Sequence, residues 1–302
     1  MSDLTTQTAA LPAGDLTSVS GWGRRMLSVA QAFGFFAAAV LVGGLIDIGL
    51  MSALHVKPDG AGPTLPVMLG LEVSQWVGVV AATLMAVAAF KISVRDAGYD
   101  GEGAVRGLVL GGVLGFVLLS AIIGVLYATG FIHFAPLSFE GTTGLMWLAG
   151  FSALFLLVAL VEEGLIRGPL LALIARAGGF WPAAIVTSLL FLALHLGNKG
   201  ETVIGIANVG LVGLALAWIR YRTGNLWLAI GYHATWDFAQ SYVFGVPDSG
   251  LMIKGSLTVA TLGAGPEWLT GGTAGPEGGL LCSLVVVLLM LAVDRLWPRK
   301  SA

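Results

Sequence analysis

Val161-Glu162-Glu163-Gly164-Leu165-Ile166-Arg167 sets two carboxylates and a guanidinium between the apolar runs 145–160 and 168–175. The surrounding sequence reads as a membrane helix. A single charge at the centre of a bilayer costs roughly 3 kcal/mol on insertion scales, so three charges this close together need internal compensation. Arg167 follows Glu163 by four residues, the favourable spacing for an ion pair along one helix face. Glu162 is then left without an evident local partner, and a carboxyl group held in a dry site suits proton chemistry.

The whole chain bears out the membrane setting of that stretch. Of its 302 residues, 57% are hydrophobic and 11% charged, against about 25% charged in ordinary soluble domains. There is too little polar side chain to cover a soluble surface, so the fold class expected is an all-α, polytopic membrane bundle. The formal net charge of -2 gives no reason to expect a nucleic-acid partner. The lone Cys282 lies in an apolar run and has no second cysteine to pair with. Forty-four glycines suit helices that approach closely in lipid.

Residues 1–20 are polar and aperiodic, and read as a disordered tail. Arg24 and Arg25 precede an apolar run too long for a signal peptide, so it reads as an uncleaved first helix. A span needs about 20 apolar residues. About eight are expected, near 26–50, 67–90, 107–128, 145–177, 180–197, 201–221, 225–245 and 278–297. The chain divides into the tail, N-terminal helices over 21–144, a core over 145–245, and 246–302. This last part comprises an interfacial loop (246–277) and the last helix. Twelve of the fifteen Lys and Arg residues fall on the side of the N-terminus if these spans alternate; Lys57, Lys199 and Lys254 fall on the other. Both termini are therefore expected in the cytoplasm.

Two further polar insertions interrupt apolar helices: Phe191-Leu192-Ala193-Leu194-His195, and His233-Ala234-Thr235-Trp236-Asp237. His233 and Asp237 are four apart and share a helix face. Measured from the basic helix ends, Glu162, His195 and His233 lie about 21, 22 and 12 Å deep at 1.5 Å per residue, so tilt and a cytoplasm-facing cavity could bring them together. A glutamate and a histidine could deprotonate a water, and a second histidine could stabilise an oxyanion. The same residue types could hold a divalent metal, although no H-E-x-x-H is present. Asp47 and Glu72 also stand inside spans and read as packing against a polar cavity. Asn198 reads as a helix-end residue, and Trp227 and Trp236 as packing or interface residues.

E-E-x-x-x-R, F-x-x-x-H and H-x-x-x-(N/D), in this order on successive membrane helices, resemble the CPBP family. That family comprises CAAX prenyl endopeptidases of the Ras-converting type, bacteriocin-processing and immunity proteins, and lysostaphin-resistance-like proteins. The run Gly224 to Phe238 carries the resemblance furthest. It implies a glutamate-dependent intramembrane endopeptidase. Glu162 and His195 would activate water, His233 and Asp237 would form the oxyanion site, and Glu163 and Arg167 would support them. Members that process CAAX motifs most often carry Asn where this chain has Asp237. An ionised carboxylate cannot donate a hydrogen bond, so orienting His233 suits Asp237 better.

The reading expected is hydrolysis of a membrane-associated peptide or protein, lipidated or carrying a leader. It needs no cofactor, and lipid is the other partner. A prokaryotic plasma membrane is the expected location. The alternatives are a non-catalytic immunity or scaffold protein of the same fold, a zinc-dependent peptidase using Glu162, His195, His233 and Asp237, and a transporter with a carboxylate relay. The run through 145–177 reads as unbroken, which speaks against the half-helices of a transporter.

Overall fold

The computed structural model describes residues 21–54, 64–198, 200 and 202–297; the tail expected over 1–20 lies outside them. Helices α1 (Trp22–Ala53), α2 (Leu65–Ala89), α3 (Ala104–Ala128), α4 (Gly141–Arg167), α5 (Pro169–Gly178), α6 (Phe180–His195), α7 (Val203–Thr223) and α8 (Trp227–Phe238) follow in order. A single π-helical turn, Ala239–Val243, extends α8. The short α9 (Glu267–Thr270) precedes the last described helix, α10 (Leu280–Leu296). Strands β1 (Ile132–Phe134) and β2 (Ala260–Leu262) pair antiparallel, with Ile132 opposite Leu262.

The expected membrane bundle is what the chain forms. Five helical stretches among the described residues are long and apolar enough to cross a membrane: Trp22–Ala53, Leu65–Ala89, Ala104–Ala128, Gly141–Gly178 and Val203–Thr223. The other three expected spans are also helical but shorter: 16 residues in α6, 12 in α8 and 17 in α10. Their sequences read as longer because apolar residues continue into loops and into the π turn.

One expectation fails at a named position. The run 145–177 is not a single helix: it breaks at Gly168, whose ψ of -130° leaves the helical region. Pro169 is the cause, because its ring would collide with the carbonyl four residues back and it offers no N–H to the ladder. It therefore starts α5, at the position where proline is tolerated. A Cβ at Gly168 would run into the Gly164 carbonyl oxygen. With the helix broken at Gly168, continuity of this run no longer speaks against half-helices.

The tightest crossing described brings α3 against α8. Side chains added at Gly111, Gly115 or Gly231 would collide with the carbonyls of Leu228, Tyr232 and Leu108 respectively. Backbone therefore meets backbone there, the close approach that small residues allow in lipid.

One end of the bundle is tied by basic side chains. Arg176 pairs with Asp96 at 3.1 Å, and Arg220 donates to the Asp96 carbonyl at 3.0 Å. Arg222 pairs with Asp294 at 2.6 Å and donates to the Trp297 carbonyl. Trp227 Nε1 donates to the Asp100 carbonyl at 2.6 Å. The other end of α7 is held where the segment expected to be an interfacial loop meets the last expected span. Asn208 Nδ2 donates to the carbonyls of Glu277 and Gly279 at 2.7 and 2.9 Å, and Thr202 to that of Gly278 at 3.4 Å. With 21 residues, α7 separates these ends by about 31 Å.

Candidate active site

Glu163 and Arg167 are both completely buried, and Arg167 Nη1 donates to Glu163 Oε1 at 3.0 Å. This is the intrahelical pair that the spacing predicts. The guanidinium also lies over the Phe191 ring, 4.2 Å from its centroid. Phe191 opens the F-x-x-x-H motif, and its carbonyl receives the His195 Nδ1 hydrogen at 2.8 Å. A carbonyl can only accept, so Nδ1 carries the proton of the neutral ring and Nε2 keeps the lone pair.

His233 is the hub of the site. Its Nδ1 lies 3.0 Å from Glu163 Oε1, and its Nε2 lies 3.3 Å from Asp237 Oδ2 and 3.6 Å from Glu162 Oε2. Glu163 thus spans two motifs, held by Arg167 on its own helix and holding a histidine seventy positions on. The spacing within α4 gave no signal for that second contact. Nδ1 donates to Glu163, so Nε2, Glu162 and Asp237 would be three acceptors facing one another unless a proton resides among them. A hydrogen on Nε2 would let His233 donate toward these two carboxylates. Asp237 makes the contact with His233 that suits an orienting role.

A cavity of about 370 Å³ opens beside this cluster. Its wall includes Glu162, His195, His233 and Asp237, while Glu163 is sealed behind it. His195 shares the wall with Glu162; its hydrogen bond is to Phe191 rather than to the glutamate. Glu72 of α2 lines the same space, as expected of a residue packed against a polar cavity, whereas Asp47 instead accepts a hydrogen bond from Gln75. Asn198, read as a helix-end residue, also lines the cavity, as does Trp236. Asn208 of α7, Ser241 and, from the stretch 246–277, Asp248, Ser249 and Glu277 add to the polar wall; the last three were not foreseen, because a Gly- and Pro-rich stretch gives no sign that it folds back. Burial, with Asp237 and Glu277 beside it, pushes the Asp248 carboxyl well above the ordinary carboxylate range.

The cavity lies in one half of the bundle. On α7 its wall runs from Gly205 to Leu216, and it reaches Asp248 and Glu277. This is the half of the bundle away from Arg220 and the basic end. Depths counted along an unbroken 145–177 helix concealed this, because the break at Gly168 makes Arg176 a poor reference for Glu162. Among the described residues no three His, Cys, Asp or Glu side chains are grouped to hold a metal ion.

Fold and site together define a multi-pass helical membrane protein with an acid–base cluster between its helices. Residues 142–239 match the family described as Type II CAAX prenyl endopeptidase Rce1-like, the same grouping that the three motifs resemble. The matched stretch contains Glu162, Glu163, Arg167, His195, His233 and Asp237. An uncharacterised 24.3 kDa protein of Escherichia coli is 35% identical over 82 residues, which are 26% of this chain and 37% of that protein. The chain thus spans little more than a third of the length of this curated relative. No solved structure matches.

Proposed function

We propose that this chain is an intramembrane endopeptidase that hydrolyses a peptide bond of a membrane-associated, lipidated or leader-bearing substrate. The observation that carries the reading is the contrast between adjacent glutamates. Glu163 is sealed against Arg167, whereas the Glu162 side chain is 30% exposed and faces the cavity beside His233. A cavity-facing carboxylate beside one histidine and across from the lone pair of another suits water activation. In this proposal Glu162 takes a proton from water, with His195 Nε2 across the cavity accepting from the same water. His233, held by Glu163 and Asp237, donates to the oxyanion as the tetrahedral intermediate forms. The match over residues 142–239 supports the same reading. No cofactor takes part, and lipid and a membrane-tethered peptide or protein are the partners. The location proposed is a prokaryotic plasma membrane with the basic end in the cytoplasm. The cavity then lies toward the opposite face.

Quenched, membrane-tethered peptides in detergent test this. Glu162→Ala should lower cleavage by about 10³-fold or more, within the range of acid–base catalysis, while folding and insertion are unchanged. Chelator should leave the wild type active. Cleavage retained by the variant would overturn the role of Glu162, and chelator-sensitive cleavage restored by a divalent ion would move the chemistry to a metal.

A further inference from the structure

We infer that Glu72 is a second catalytic carboxyl, the proton donor to the leaving amine. The inference rests on the peptidase reading above. Glu72 lies on α2, outside all three motifs and outside the matched segment 142–239. It is four residues after Met68, and both line the cavity that Glu162, His195, His233 and Asp237 face. The rotation of α2 that presents this face is fixed. Gly78 packs so closely on α1 that a side chain there would meet the backbone of Ala39 and Gly43. Three residues after Glu72, Gln75 donates to Asp47. The charged groups that bear on Glu72 are Glu162 of α4, Asp47 of α1 and His233 of α8. A carboxyl group at membrane depth is costly to keep, which makes it a candidate for function.

Peptide hydrolysis needs two proton transfers in different places. Water loses a proton to Glu162 as its oxygen bonds to the carbonyl carbon. When the C–N bond then breaks, its electron pair goes to nitrogen, which must gain a proton to leave as an amine. His233 is already engaged, with Nδ1 facing Glu163 and the Nε2 hydrogen given to the oxyanion, so the leaving amine needs a different donor. Glu72 reaches the cavity from a different helix. Two carboxyls facing one cavity relieve their mutual repulsion by holding a proton between them. In the cycle Glu72 gives its proton to the amine, and the proton taken up by Glu162 returns to Glu72. Water is consumed, no redox change occurs, and the starting state is restored.

The leaving group separates this role from a structural one. A membrane-tethered peptide is compared with the matching 4-nitrophenyl ester, whose phenolate departs without protonation. Glu72→Gln should lower kcat on the peptide by about 100-fold or more and leave the ester within about threefold. The wild-type peptide rate should fall at high pH as the donor loses its proton, and the variant should lack that limb. Should the Gln variant fail to accumulate in the membrane, Glu72→Asp, which keeps a shorter donor, should still lose more on peptide than on ester. Equal loss on both substrates, or loss on neither, overturns the assignment. A wild type that cleaves neither overturns the peptidase reading and this role together, whereas an active wild type with an unimpaired variant removes the role of Glu72 alone.

Discussion

Arg167 makes two neighbouring glutamates chemically different. By neutralising Glu163 in a fully buried pair, it leaves one carboxylate as a fixed acceptor for His233 and frees Glu162 for the cavity. Removing one member of such a pair strands the other. Arg167→Leu should therefore cost about 3–5 kcal/mol, read from thermal unfolding in detergent. The double variant Glu163→Gln, Arg167→Met should regain much of that stability yet stay poorly active, because His233 Nδ1 no longer faces a carboxylate. Full activity in the double variant would show that Glu163 only offsets a charge. The pair itself was legible from its four-residue spacing. Its contacts with His233 and with the Phe191 ring were not, because they join segments whose relative placement only the fold decides.

At the scale of elements, every stretch expected to span is helical, since apolar length is a strong signal. Their ends were less legible. The break at Gly168 was signalled by Pro169, a residue incompatible with a continuing helix, and apolar periodicity overrode that signal. The backbone-to-backbone contact of α3 with α8 was visible only as a high glycine content. It sets the depth of His233, because Gly115 meets the Tyr232 carbonyl one residue before the histidine. Gly115→Leu should push α8 outward, lowering stability by about 1–3 kcal/mol as overpacking does and reducing peptide cleavage. A variant that keeps wild-type rate and melting temperature would mean that α8 has room to yield.

Across the whole molecule, polar ties gather at both ends of α7, and the cavity occupies one half of the bundle. Charge counting along the sequence revealed the basic end. It could not reveal that residues 246–277 fold back to wall the cavity at the other, because that stretch carries neither periodicity nor a motif. The proposed orientation is open to labelling in a Cys282→Ser background. A cysteine at Val259, which is exposed beside β2, should react with a membrane-impermeant maleimide in intact cells. One at Arg106, near the start of α3, should react only after lysis. The reverse pattern would invert the molecule.

The separation of the arginine ties from the cavity also bears on timing. In the proposed orientation a peptide can reach Glu162 only once its scissile region has been delivered to the far side of the bilayer. Proteolysis would then follow export, and the supply of substrate would be metered by whatever machinery carries it across, not by its synthesis.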